Sequence, residues 1–429
     1  MSAVLCIVFF FALTLGVPVA ITMGGAGLSA LMWGGTFSPL LVPQRMFSGI
    51  DSFPLMAVPF FILAAELMTG GRITDLLVRF ACQLIGNVRG GLGYANVLMA
   101  IFFAGISGSA LADAAGPGSV IIRMMRQSGY HGEYAAALTA SGAIIAPIIP
   151  PSIIMIIYAL SDTSVSVAGL FLAGIVPGLL LGCALLAVNW WIARKRNYSF
   201  GAARPAWGPF LRESWRVFPA LMLPIIILGG IHGGIFTPTE ASAVAAVYAF
   251  LVGRFIFGTL TLGMLPRIFV STAIMTSAVL LIVSMATVFA YMLTVLQIPQ
   301  SVSEFIGGLG LSPVMLLIAV SVFLLICGLF LDTLPAVIIL VPILAPLAQS
   351  VGINPLHFAM VVILNLTIGM ITPPVGAVLF VTTVVSKVPM PKLVRALLPM
   401  LAAEMAVFVL ILLIPGLSTW LPGLFGYTR

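Results

Sequence analysis

Apolar residues run along this chain in segments of about 20, the length that spans the hydrocarbon core of a bilayer, with short polar stretches between them. Two of these segments break in the same way. Residues 134–160 are interrupted by Ala146-Pro147-Ile148-Ile149-Pro150-Pro151, and residues 358–385 by Gly369-Met370-Ile371-Thr372-Pro373-Pro374. Proline has no backbone N–H and its ring clashes with the preceding turn, so each Pro-Pro pair unwinds its helix locally. In a bilayer the freed backbone groups are tolerated only where protein buries them or a polar cavity receives them. One such interruption in each half of a chain points to the binding site of a secondary transporter built from repeats. Uninterrupted spans are predicted at 168–193, 216–235, 238–257 and 268–296. Residues 3–33 are long for one crossing and short for two; the repeat favours two, with the break at Gly16-Val17-Pro18.

Residues 90–127 and 313–350 each read as two apolar arms around a polar tip. Asp113, Gly116, Pro117 and Gly118 leave the second arm of the first pair about three turns of good helix, short of a span. Both pairs are therefore expected to be re-entrant hairpins. Each follows an amphipathic stretch suited to the membrane interface, 72–88 (Leu76, Leu77, Phe80 and Leu84 against Arg72, Asp75 and Arg79) and 299–310. Gly129–Pro151 aligned without gaps on Gly352–Pro374 gives six identities in 23 positions, of which Gly129/Gly352, Pro150/Pro373 and Pro151/Pro374 are the informative ones. At the same offset Gly105 falls on Gly328 and Ser109 on Asp332, so the tips correspond as well.

Composition excludes a soluble domain: 62% of residues are hydrophobic and 7% charged, with a mean hydropathy of +1.25, against roughly 25% charged in an ordinary globular protein. The net charge of +7 is a matter of orientation rather than of nucleic acid. Arg194, Lys195, Arg196, Arg204, Arg212 and Arg216 share one loop, which the positive-inside rule puts in the cytoplasm. Counting crossings from that loop puts the first hairpin on the cytoplasmic side and the second outside, and leaves Lys387, Lys392 and Arg395 cytoplasmic. Of the 18 basic residues only Arg45 and Arg429 then lie outside. The charge pattern thus selects inverted halves. The expected fold is an all-α polytopic membrane protein with two inverted structural repeats, each a re-entrant hairpin followed by a Pro-Pro-broken helix. No cleavable signal peptide is expected.

Chemistry is expected where tip meets break. Ser107 and Ser109, with carbonyls near Gly142 and Pro147, suit one small monovalent cation; Asp332 and Thr333, with backbone oxygens near Gly328, Gly369 and Thr372, suit a second. Dense carboxylates for calcium and His/Cys clusters for transition metals are missing from the pattern. Helix N-termini at both tips favour an anionic solute. Thr237-Pro238-Thr239-Glu240 reads as a helix start with a capping box. Glu404, alone in an apolar helix, is either functional or paired toward Lys392 and Arg395. His131, His232 and His357 lie near segment ends without ligand spacing, and Cys6, Cys82, Cys183 and Cys327 are scattered.

Ser107-Gly108-Ser109-Ala110, the Ala146–Ser152 break, Gly234-Ile235-Phe236-Thr237-Pro238-Thr239-Glu240-Ala241 and Thr372-Pro373-Pro374-Val375-Gly376 together resemble the large membrane subunit (DctM/SiaM-like) of tripartite ATP-independent periplasmic (TRAP) transporters, from Leu15 to about Pro415. The resemblance implies an elevator-type importer in the bacterial inner membrane, driven by sodium as coupling ion, with no other cofactor and no enzymatic activity. It implies a carboxylate-bearing solute, sialic acid or another sugar acid before a C4-dicarboxylate. It also implies two partners, a small four-helix membrane subunit and a periplasmic substrate-binding protein; because this chain begins at its first membrane segment, the small subunit is expected as a separate chain. Solute contacts are expected from Ser107, Gly108, Ser152, Thr372 and Gly376, which lie in those motifs. The expected domains are scaffold and first arm helix at 1–89, first transport half at 90–160, scaffold, loop and second arm at 161–310, second transport half at 311–386, and a C-terminal scaffold helix at 387–429. The competing readings are a stand-alone divalent-anion:sodium symporter, a membrane-embedded enzyme, for which no nucleophile–base pair is seen, and a scaffold subunit, which has no use for broken helices.

The orientation has a direct test. Cysteines placed at 163 should react with a membrane-impermeant reagent from the periplasm, and those at 204 and 390 should not; periplasmic labelling at 204 overturns the assignment.

Overall fold

A computed structural model describes residues 1–35, 38, 40–71, 73–198, 207–308 and 312–427. Arg72, Arg204 and Arg429, which enter the charge count, lie outside the described residues. No strand occurs among the described residues, and eight segments are long and apolar enough to cross a membrane.

Gly16, at φ +75°, and Pro18 divide the first apolar stretch into α1 (Ser2–Thr14) and α2 (Val19–Gly34), which pack against each other. The break predicted inside 3–33 is present. After α3 (Leu41–Ile50) and α4 (Ala57–Gly70) comes α5 (Ile73–Ile85), which buries Leu77 and Phe80, leaves Arg79 exposed and lies against the next helix. Hairpin 1 consists of α6 (Gly91–Ser107), α7 (Ala110–Ala115) and α8 (Pro117–Gln127), and broken helix 1 of α9 (Gly132–Ala143) and α10 (Ile153–Ser161). The long α11 (Val167–Lys195), α12 (Trp207–His232), α13 (Pro238–Leu251) and α14 (Leu265–Val295) lead to α15 (Ile298–Gly308). Hairpin 2 follows as α16 (Pro313–Phe330) and α17 (Thr333–Ser350), broken helix 2 as α18 (Pro355–Gly369) and α19 (Ala377–Ser386), and α20 (Met390–Leu413) and α21 (Gly416–Leu424) close the chain.

Local chemistry explains the boundaries. Thr237 N donates to Glu240 Oε2 at 2.8 Å and Glu240 N to Thr237 Oγ1 at 3.3 Å, the capping box expected at the start of α13. Asn354 Oδ1 accepts from Leu356 N and His357 N at the start of α18. His357 itself is buried rather than at a polar margin, with Nδ1 2.9 Å from Ser418 Oγ of α21.

The two hairpin–break units keep step along the sequence. Ser109 and Asp332 both N-cap the second arm, α8 and α17 end at Gln127 and Ser350, Gly129 and Gly352 both have positive φ, and Pro150–Pro151 and Pro373–Pro374 are both cis. Each pair is 223 residues apart. The units also brace each other reciprocally: α10 packs on α17, and its counterpart α19 packs on α7 and α8. The hairpins differ in length. In hairpin 1 the return arm is split at Gly116, as its composition predicts, whereas α16 and α17 have 18 residues each and are long enough to cross. The length argument for re-entrance therefore applies to the first hairpin alone.

Two packing groups result. One gathers α2, α3 and α4 on α14, with α13 against α4; the other gathers α6, α9, α11, α18 and α20. The sequence reading puts α11 and α20 with the scaffold, yet α20 packs on α9, α11, α18 and α19. Glu404 on α20 is wholly buried, with the Ser141 hydroxyl of α9 as the polar group beside its carboxyl. Pairing with Lys392 or Arg395 is not what the fold builds.

Backbones approach closely where α16 meets α18. A Cβ on Gly369 would sit 2.7 Å from Gly328 Cα and 2.8 Å from Gly328 C, backbone atoms that cannot swing aside. Close backbone approach through small residues is how helices associate in membranes. Gly369→Ala should therefore cost about 1–3 kcal/mol through overpacking. Thermal unfolding in detergent should show a fall in midpoint for Gly369→Ala and little for Gly229→Ala, where a Cβ meets nothing within 4 Å.

Candidate functional site

The first tip is built by a reversal at Gly108, φ +60°, between the end of α6 and the Ser109 N-cap of α7. Ser107 Oγ donates to Asp113 Oδ1 at 2.5 Å and accepts from Ser109 N at 3.3 Å. Asp113 is 5% exposed and its Oδ2 has no hydrogen-bond partner. The tip rests on the first break: a Cβ on Gly108 would lie 2.8 Å from Pro151 O. The break is closed by Ser152, whose Oγ donates to Pro147 O at 2.7 Å and accepts from Met155 N at 3.4 Å.

The second tip uses different chemistry at matching positions. Asp332 Oδ1 accepts from Thr333 N at 2.8 Å, so the acid caps α17. The buried Thr333 places its Oγ1 2.8 Å from Met370 Sδ. Gly376, at φ +58°, donates its N–H to Leu329 O at 3.3 Å, joining the break to the tip through backbone alone.

Both tips open onto one cavity of about 480 Å³, closed on the other side by α4 and α14. Ser107, Gly108, Ser109, Pro147, Asp332 and Thr333 all line it, so the sequence reading brings six of its residues to one place. Ser152, Gly142, Gly328, Gly369, Thr372 and Gly376 do not line it. Ser152 and Gly376 tie the breaks shut, Gly142 O accepts from Ile145 N, Thr372 Oγ1 donates to Ile368 O, and Gly328 and Gly369 are pressed together behind the tip.

Three features escaped the sequence reading. Asp113 lines the cavity, and so do Glu66 and Thr69 of α4. Glu66, Asp113 and Asp332 all reach the cavity, and no basic residue lines it among the described residues. Asp113 could have been found from its position four residues after Ser109, one turn into the tip helix. Glu66 could have been found as a lone acid in the apolar span Phe53–Gly70. No group of three His, Cys, Asp or Glu able to hold a metal ion occurs among the described residues, so these acids are dispersed around the space.

Residues 6–417 match the model of the tripartite ATP-independent periplasmic transporter family, DctM component. The chain belongs to this family. It is therefore a transporter component and not an enzyme. Among curated TRAP permeases it is 39% identical over 415 residues to the sialic acid TRAP transporter large permease protein SiaM of Vibrio cholerae, covering 96% of each chain. It is also 39% identical to the C4-dicarboxylate TRAP transporter large permease protein DctM of Pseudomonas aeruginosa, covering 93% of this chain and 94% of that one. The YdaH transporter of Alcanivorax borkumensis has the same overall fold, with a TM-score of 0.65 at 14% identity over 86% of this chain and 87% of that one. At that identity the likeness concerns fold alone.

The cap geometry separates the two roles open to Asp332. Asparagine is as good an N-cap as aspartate, whereas alanine loses about 1 kcal/mol. In thermal unfolding Asp332→Ala should lower the midpoint and Asp332→Asn should leave it unchanged. Equal destabilisation by both would mean that charge, rather than the cap, holds the tip.

Proposed function

We propose that this chain is the permease of a sodium-driven TRAP importer in the bacterial inner membrane that moves a carboxylate-bearing solute by an elevator mechanism. The observation that carries the reading is the composition of the cavity: two helix starts, hydroxyl groups and three carboxyls, with no basic side chain among its described lining residues. The free N–H groups of helix starts attract an anion, while unscreened carboxylates in a low-dielectric space repel it. Small cations bound beside the carboxyls remove that conflict, so solute and cation enter together. One sodium site is assigned to Ser107, Ser109 and Asp113 with Pro147, the other to Asp332 and Thr333. Gly142, Gly328, Gly369 and Thr372 hold the breaks in place behind them. Ser107 and Gly108 face the solute, and Ser152 and Gly376 fix the walls.

Reciprocal packing of α10 on α17 and of α19 on α7 and α8 is the pattern a two-fold relation between halves generates; with the distribution of basic residues it supports inverted repeats, the second hairpin being re-entrant from outside. The moving unit would comprise α6–α11 and α16–α20, sliding against α1–α4 and α12–α14. The relatives' names include sialic acid, 2,3-diketo-L-gulonate and C4-dicarboxylate, small oxygen-rich acids, and a sugar acid is our first choice for the solute. A small four-helix subunit and a periplasmic binding protein complete the system. The isethionate permease DctMQ of Oleidesulfovibrio alaskensis is longer, this chain spanning 65% of it, consistent with a small subunit fused in that relative.

Reconstitution tests the proposal. Proteoliposomes with the small subunit and solute-loaded binding protein should accumulate solute only under an inward sodium gradient. Loss of one charge-assisted contact, about 1.5–3 kcal/mol, should make Asp332→Asn raise the half-maximal sodium concentration on the order of tenfold. Uptake by this chain alone would favour the stand-alone symporter, and a sodium curve unchanged in the variant would remove Asp332 from the ion site.

A further inference from the structure

A second pocket of about 400 Å³ lies away from the transport cavity, where the end of hairpin 1 meets the end of broken helix 2. Arg123 and Arg126 reach it from α8, and Lys387 from the residue after α19. The contact is made by a bond between the two halves, Arg126 Nη1 donating to Ser386 O at 3.0 Å. Among the described residues no acidic side chain lines the pocket. Basic side chains at the end of α8 favour its dipole, but that does not account for a third cation brought there by the other half. Like charges gathered around a concave space repel one another, and an anion seated among them removes the repulsion. Arginine forks and a lysine ammonium are the groups that hold phosphate oxygens.

Apolar surface continues from the same place. Ile122 and Val385 line the pocket beside the cations. On α19, Phe380 and Val384 stand one turn apart on one face, 52% and 77% exposed. A basic pocket at the head of an apolar track matches a charged phosphate followed by acyl chain. We propose that Arg123, Arg126 and Lys387 bind the phosphate of an acidic phospholipid, with its chains along the Phe380–Val384 face. The orientation proposed above is used only to assign the lipid to the cytoplasmic leaflet.

Free phosphate offers the same chemistry, and the experiment distinguishes the two sources. Thermal unfolding of the purified full-length permease would be followed in detergent, at constant ionic strength, with short-chain phosphatidylglycerol, short-chain phosphatidylcholine or inorganic phosphate. Phosphatidylglycerol should raise the midpoint saturably, and the other two should not. Loss of two charge-assisted contacts in Arg123→Gln/Lys387→Asn should weaken half-saturation by roughly tenfold or more. Asparagine is chosen at 387 because the backbone there is left-handed, φ +54°. Should the double variant fail to fold, the single Arg123→Gln reads the same displacement at smaller amplitude. Phe380→Ala should weaken the lipid response without creating one to phosphate. A full response to inorganic phosphate at the same concentration overturns the lipid assignment. A variant that responds like the parent overturns the site.

Discussion

A peptide group freed inside a bilayer finds no water, so every N–H and C=O released by the two proline breaks has to be answered by the protein. In the first break the answer is local and uses a side chain. Ile145, Ala146, Ile148 and Ile149 donate their N–H groups within the turn, and the Ser152 hydroxyl takes up the Pro147 carbonyl. In the second, Ile371 and Thr372 likewise donate within the turn and Val378 N–H goes to Met370 O, while Gly376 N–H alone of these reaches across to Leu329 O of the hairpin. In the second half tip and break are thus joined through backbone, and the cavity lies where the two tips meet.

What faces inward is electrically lopsided. Asp113 is held by Ser107 on its own tip, Asp332 is held by the first N–H of α17, and Glu66 comes from the opposite wall. Each acid belongs to a different element, so no single packing contact neutralises all three. The three carboxyls thus meet only across the cavity, which is where their charges would interact.

Breaks, tips and the constant offset were legible because proline and glycine act on their own backbone, whatever lies around them. The Gly16–Pro18 division, the Thr237–Glu240 box and the correspondence of Ser109 with Asp332 are local facts of this kind. Partnerships across the fold were not legible. Glu404 lies within reach of Lys392 and Arg395 along its own helix, yet it packs against α9 beside Ser141; Asp113 reads as a helix breaker, yet it completes the Ser107 contact. Gly142, Gly369 and Thr372 stand beside the breaks in sequence; Gly142 O and Thr372 Oγ1 make local bonds and Gly369 packs on Gly328. Periodicity shows which face of a helix is apolar and is silent on which neighbour that face meets, such as the α9, α11 and α18 that receive α20.

The reciprocal bracing of α10 on α17 and α19 on α7 and α8 has a consequence for how such a chain can be divided. Each half lays the second piece of its broken helix over the other half's hairpin, and neither covers its own. A fragment ending before α16 would keep its fold signals and its tip, but it would expose the surface that α17 covers and leave α7 and α8 without their lid. In this chain the two halves that exchange these contacts lie in one polypeptide, with a serine at one tip and an aspartate at the matching position of the other.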